Sequence, residues 1–313
     1  MRKRLTNKTL YGSIYDQSIE ADLITFGGKA YPTDGQVLLV AGGAGSGKGT
    51  IIRSLIGMQG KVLDVDSWKE MATNKNNPKV MDIMRRLLER KLGKDRMPDL
   101  DKLNLANPED VSVLHKLMKD AGIEDMMDRM LRPIKYMKNK PNLIFDKTFR
   151  NMFNIQEVVA QVLGLGYKKE NIHMVWVMND VDVAVENNRG RERCVGEDIL
   201  RATHAGVSQT MRGLFAMGDK LDSVVGGDIW ICFNKTGVDV KLDRLPVRER
   251  SVAVGLRSYD QTFYIEKSHC VKVKEKGKNV DLSRFEKKLS DEISQTVLQK
   301  IAEYTHDSSW LKK

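Results

Sequence analysis

Cysteine is nearly absent. The 313 residues hold 3, at positions 194, 232 and 270, an odd number set far apart. That spacing matches neither a zinc-ligand pattern nor a disulfide framework, and it points to a reducing cytoplasm. Histidine is almost as scarce, with 5 in all and none beside a cysteine pair, which argues against a His-based transition-metal centre. No apolar run approaches the roughly 18–20 residues that cross a bilayer, so a membrane-spanning helix is not expected. The start, Met1-Arg2-Lys3-Arg4, runs into polar residues rather than an apolar stretch, and so does not read as a secretory signal. Internal repeats and low-complexity tracts are missing as well.

What is present is a chain able to fold. Hydrophobic residues make up 41% and charged residues 30%, enough apolar content for a sizeable core in one large or two modest domains. Lys and Arg number 52 against 42 Asp and Glu, a net charge of +10. That excess suits an acidic partner such as nucleic acid, nucleotides or an anionic surface.

Short apolar runs bounded by turn residues alternate with helical periodicity. Strands are expected at 37–41, 61–65, 142–146, 172–178 and 228–233. Helices are expected at 48–56, 155–164 (with Asn154 and Glu157 as a capping-box-like start), 181–193 and 197–217. Residues 67–140, rich in Met, Leu, Lys and Arg, read as a helical insertion between two strands. The last stretch holds a possible hairpin at 261–273, a run of alternating lysines (Lys272, Lys274, Lys276, Lys278) and an amphipathic helix at 282–304. Strand–helix alternation of this kind implies a parallel sheet with right-handed crossovers.

The most specific signal is Gly42-Gly43-Ala44-Gly45-Ser46-Gly47-Lys48-Gly49-Thr50, which follows an expected strand and opens an expected helix. Main-chain N–H groups that converge on phosphates need a loop without bulky side chains, and the helix start adds its own donors. Lys48 then reaches the outer phosphates of a nucleoside triphosphate, ATP or GTP. A Ser or Thr directly after the lysine normally ligates Mg²⁺; here Gly49 stands in that place and Thr50 comes next, so phosphates, water and a carboxylate share the metal.

The next strand runs into Asp64-Val65-Asp66-Ser67-Trp68-Lys69. In an open parallel sheet the strand C-termini face the ligand crevice. Asp66 there fits either a general base for an attacking hydroxyl or a helix cap. Asp64 reads as structural, and Lys69 as an acceptor-phosphate ligand or a surface lysine. Three arginines, Arg189, Arg191 and Arg193, follow the fourth strand. A mobile arginine can neutralise a transferring phosphoryl group and exclude water, and a solvated face is the alternative. On a regular helix Arg189 and Arg193 share a face and Arg191 points away.

The Gly-Lys-Gly-Thr ending, with Asp66-Ser67-Trp68-Lys69 after the second strand, resembles the P-loop hydroxyl kinases, which include polynucleotide 5′-hydroxyl kinases and zeta-toxin-like kinases. The resemblance spans about 35–235, with Lys69 where that group carries arginine. It implies ATP-dependent transfer to a hydroxyl, with Lys48, Asp66, Arg191 and Arg193 as catalytic residues. It places Lys69, Asp146, Thr148 and Arg189 at the acceptor, with Thr50 and Asp146 near Mg²⁺ through water. The arrangement is also similar to kinases of large DNA phages, some of which phosphorylate 5-hydroxymethyluracil within DNA, where Trp68 or Tyr136 would stack on the base. A kinase of nucleotide-sugars or nucleoside monophosphates, and a non-catalytic nucleotide-gated nucleic-acid binder, are the other readings.

The expected fold is therefore α/β: a P-loop NTPase-type parallel five-stranded sheet sandwiched by helices. A basic arm at 1–34 precedes the core at 35–240, which carries the insertion at 67–140, and a small basic α+β segment follows at 241–313.

Overall fold

Five apolar runs form the expected parallel strands: β1 Val37–Ala41, β2 Lys61–Leu63, β3 Leu143–Asp146, β4 Ile172–Asn179 and β5 Ile229–Asn234. β1 and β4 are buried along their whole length, as central strands covered on both faces must be. The computed structural model describes residues 25–26, 29–30, 32–52, 58–191, 193–234, 250–253, 256–259, 268–282 and 297–312. Most of the basic arm lies outside these residues.

The sheet has six strands rather than five. β6, Ser268–Lys274, pairs antiparallel with β5, and the order is β6-β5-β4-β1-β3-β2. All other neighbours are parallel. From β1 the chain passes to one side for β2 and β3, then to the other for β4 and β5. The loop after β1 therefore sits where the strand order reverses, the usual ligand crevice of such sheets.

β6 corrects two expectations. It was to form part of a local hairpin, but its partner is β5, and Cys270 faces Cys232 across the ladder. These two cysteines form a disulfide, with a sequence separation of 38 that gave no hint of it. Cys194 is free and buried. The cysteine pattern thus no longer argues for a reducing compartment. The alternating lysines divide: Lys276 and Lys278 are exposed, and the other two turn inward. Lys274 is buried, donating to the Gly227 carbonyl at 2.9 Å and facing Asp222 at 2.7 Å. Lys272 pairs with Asp228 at 3.3 Å and lies over the Trp230 ring. Val271 and Val273 are buried on the opposite face, and the ladder register shifts between Lys272 and Lys274.

The insertion is helical, as expected: α2 Asp66–Thr73, α3 Pro78–Leu92, α4 Pro108–Asp120 and α5 Ile123–Leu131 follow α1 at Lys48–Ile51. Residues 53–57, within the expected first helix, lie outside the described ones. Pro78 and Pro108 stand in first turns, capped by Asn77 and Asn107, so they start helices rather than break them. Apolar stripes containing Met84, Leu88, Leu114, Met118 and Ile123 join the main core.

α6, Met152–Gly164, begins earlier than expected because Asn151, not Asn154, caps it and accepts the Asn154 N–H at 2.9 Å. α7 is Val181–Arg189, α8 Glu197–Phe215 and α9 Val297–Thr305. α9 closes one face of the sheet, with Tyr304 edge-on to Phe233. Trp310 packs beside Trp176 and donates to Ser208. No described helix is long and apolar enough to cross a membrane.

Candidate active site

The phosphate loop is held open by its neighbours. Gly47 has φ +88°, and a Cβ there would meet the Asn234 amide at 2.1 Å. Only glycine serves at such a position. Asn234 ends β5 and donates to the Ser46 carbonyl at 3.0 Å, while Asn179 ends β4 and donates to the Gly45 carbonyl at 3.3 Å. The two asparagines are register partners. His204 of α8 covers Gly43 and bonds the Ala44 carbonyl at 2.8 Å; burial holds its imidazole below the ordinary range. The two asparagine supports escaped the sequence reading, whereas His204 fits the packed histidine that a lone imidazole usually is. The one available signal was asparagine at the ends of two adjacent apolar strands.

Inside the loop, Lys48 donates to the Gly42 carbonyl at 3.0 Å and lies 3.9 Å from Asp146. The hydroxyl of Ser46 and one oxygen of Asp146 are buried without a hydrogen-bond partner. Buried polar atoms are normally paired, so each marks a place where the fold leaves a bond for another group. The arrangement of glycines, Lys48 and the Ser46 hydroxyl fits a polyphosphate. Asp146 fits a water-coordinated Mg²⁺ beside it. Thr50 is described by its backbone alone.

Strand register brings the carboxylates together. Leu63 pairs with Phe145, so Asp64 and Asp146 leave adjacent strand ends, and Val40 pairs with Asp146 on the other side. Asp64 accepts the Asp66 N–H at 2.8 Å and caps the entry to α2. Asp66 makes no cap bond and stands in the first helical turn. Its two oxygens are taken by Lys69 at 2.8 Å and Arg193 at 2.7 Å. Burial alone would raise the Asp66 carboxyl, but the Arg193 and Lys69 charges outweigh it and hold the group below the usual range. Asp64, by contrast, is pushed up to about 7 by burial and by the Asp66 charge. Asp146 is raised by burial, with Lys48 opposing.

The arginine cluster divides differently from the helical-face expectation. α7 stops at Arg189, so Arg193 lies beyond the helix and the i,i+4 argument fails. Arg189 is exposed and pairs with Glu186 and Glu197, away from the crevice. Arg193 reaches Asp66 and, at 3.6 Å, Glu70. Arg191 is exposed at the surface and in no ion pair among the described residues; partial desolvation and the Arg193 charge lower its guanidinium from the ordinary value. Lys69 is buried and spent on Asp66 rather than free for an acceptor. Thr148 is exposed; its carbonyl accepts the Gly42 N–H at 3.4 Å. Trp68 is buried in the core, so it cannot stack on a base, whereas Tyr136 is 86% exposed but lies at the other end of the sheet.

No protein-family model matches the chain, and no curated protein matches it significantly. Among solved structures, the chain is similar to one from the PezAT chromosomal toxin–antitoxin system of Streptococcus pneumoniae, at 13% identity and a TM-score of 0.43, covering 70% of this chain and 76% of that one. It is also similar to the AvrRxo1-ORF1:AvrRxo1-ORF2 complex with ATP, at 15% identity and a TM-score of 0.36, covering 70% of this chain and 61% of that one. TT1252 from Thermus thermophilus follows at 18% identity and a TM-score of 0.24, over 58% of this chain and 80% of that one. Likenesses this distant assign no residue a role; the chain's own topology and glycine loop make it a P-loop-type α/β protein.

Proposed function

We propose that this protein is an ATP-dependent kinase that transfers the γ-phosphate to a hydroxyl group. The observation that carries the reading is the convergence of Lys48 and Arg193 with Asp146 and Asp66 at the open end of the sheet, beside buried oxygens without a hydrogen bond. Phosphoryl transfer needs positioning and charge compensation more than covalent chemistry. Main-chain amides and Lys48 grip the polyphosphate. Arg193, now on Asp66, and Arg191 have the reach to turn toward the transferring group.

Asp66 accepts the acceptor hydroxyl. A loose transition state asks little proton removal before the phosphorus is engaged, so a carboxylate held below its usual range serves chiefly to orient the nucleophile. Asp146 would help hold a Mg²⁺ ion through water, and that ion would supply further charge neutralisation.

The acceptor we favour is nucleic acid, on the strength of the +10 charge, with 5-hydroxymethyluracil in DNA as the specific candidate. Transfer of radiolabelled γ-phosphate is to be measured with hydroxymethylated DNA, 5′-hydroxyl oligonucleotides, nucleotide-sugars and nucleoside monophosphates in parallel. Label in either nucleic acid supports the acceptor class, and label in the hydroxymethylated DNA alone supports the specific candidate. Label confined to the small acceptors removes the nucleic-acid acceptor, and no label in any arm removes the kinase reading.

A further inference from the structure

The turn between α5 and β3 carries positive charge that no acidic group among the described residues pairs with. Arg132–Tyr136 is a 3-10 helix entered through Pro133 and anchored by Ile134, which is 1% exposed. Lys140 fastens its end by donating to the carbonyls of Ile134 at 3.0 Å, Met137 at 3.3 Å and Lys135 at 3.4 Å. Side chains three apart eclipse in a 3-10 helix, so Arg132 and Lys135 project together, about 6 Å apart along its axis. Tyr136 stands beside them with 86% of its surface in water, the highest value among the exposed large hydrophobics.

The surface continues onto a second element. Tyr167 donates to the Pro141 carbonyl at 2.6 Å, and Gly166 lies against Lys140, which sets Lys168 and Lys169 next to the turn. Arg132, Lys135, Lys138, Lys168 and Lys169 are all exposed. Among the described residues none of the five forms an ion pair. In the insertion helices Arg85 pairs with Asp101 and Arg86 with Asp82, while Lys79, Arg90 and Lys94 are in no ion pair among the described residues but have no exposed ring beside them.

We propose that this turn is a docking surface for single-stranded nucleic acid, separate from the phosphate-loop crevice. Neighbouring cations can follow a phosphate chain, and an exposed ring on a rigid turn offers a face to an unstacked base. A duplex keeps its base faces stacked and cannot use that ring. The turn precedes β3, so it lies at the opposite end of the sheet from the glycine loop, one strand length or roughly 17 Å behind it. It anchors a strand rather than presenting the reacting hydroxyl, and binding there does not depend on the kinase reading.

The test is fluorescence anisotropy of the full chain with a labelled 20-mer oligothymidylate between 50 and 200 mM salt. Tyr136→Ala should weaken binding by about five- to a hundredfold, the usual worth of one stacked base, while Tyr136→Phe keeps it. The triple variant Arg132→Gln, Lys135→Gln, Lys138→Gln should flatten the log–log salt slope by about 2, at roughly 0.7 per single-strand phosphate. Lys48→Ala should bind the oligonucleotide as the parent does. The charge-matched control Lys79→Gln, Arg90→Gln, Lys94→Gln on α3 and the residues after it should have little effect. Equal losses in control and turn variants would mean net charge alone is read and would overturn the proposal. So would unchanged binding by Tyr136→Ala, or binding of phosphatidylserine vesicles without binding of the oligonucleotide. Thermal unfolding of each variant confirms that these exposed substitutions leave the fold intact.

Discussion

The two ends of the same strands carry opposite kinds of polar chemistry. At the N-terminal end, His173 bonds Gln36 at 2.9 Å and takes the Asp228 N–H at 2.9 Å. Asp228 in turn receives Lys272 and the Lys276 N–H, and Lys274 is bonded by Gly227 and faces Asp222. Each group there has an internal partner, and burial drives the His173 imidazole down to about 4, so it is neutral and fixed. At the C-terminal end, Ser46 and Asn179 each have a buried oxygen without a hydrogen bond, and Asp146 has one whose cation, Lys48, stays 3.9 Å away; Asp222 at the other end also has such an oxygen, but Lys274 closes on it at 2.7 Å. The lesson is that buried polarity alone does not mark a site. A closed network holds a fold together, whereas a network with open valences is arranged for something that comes from outside.

Substitutions can break this contrast. The largest effect is expected from Lys48→Ala, which should lower ATP binding and phosphate transfer together, transfer by roughly 10²–10³-fold, with little change in melting temperature. Calorimetric titration beside a transfer assay checks it. Cys232→Ser opens a loop of 38 residues and should cost about 4 kcal/mol in the chain-entropy account, read as a shift in the urea midpoint. His173→Ala strands Gln36 and the Asp228 N–H and should cost about 2–3 kcal/mol while ATP affinity stays constant. If His173→Ala weakened ATP binding as much as it lowered stability, the two ends would not be separable.

Asn234→Ala removes the donor to the Ser46 carbonyl and should do the reverse, with a modest stability loss of about 1 kcal/mol and a clear loss of nucleotide affinity.

The smallest effect concerns Asp64. Its folded value of about 7 lies above the unfolded 3.8, so the folded state binds the proton more tightly. Stability is therefore full below the unfolded value and declines as pH rises through about 7. Asp64→Asn should raise the melting temperature at pH 8 by roughly 2–4 °C and leave it nearly unchanged at pH 4, as followed by circular dichroism.

Much of this was legible in the chain. Gly42 to Lys48 between an apolar run and a helix announced a glycine loop that joins β1 to α1, because local composition alone determines the backbone such a loop can adopt. The five parallel strands followed from apolar runs for the same reason. The rest depended on distant partners. Nothing near Cys270 indicates that it will lie opposite Cys232, and nothing near Asn179 or Asn234 shows a carbonyl of the loop above them. The arginines illustrate the difference within five residues. Their number suggested a phosphate role, but where α7 stops decided that Arg193 meets Asp66 while Arg189 meets two glutamates. Lys69, open in sequence terms, is closed in space by Asp66.

The role given to Asp66 is tested most directly by Asp66→Asn, with ATP affinity and phosphate transfer measured on the same preparation. The substitution frees Lys69 and Arg193 from their carboxylate, so some stability loss is expected and retained ATP binding serves as the check on folding. The account predicts ATP affinity within about twofold of the parent and transfer reduced by roughly 10²-fold or more, the cost of a misplaced nucleophile. Transfer at the parental rate would contradict it.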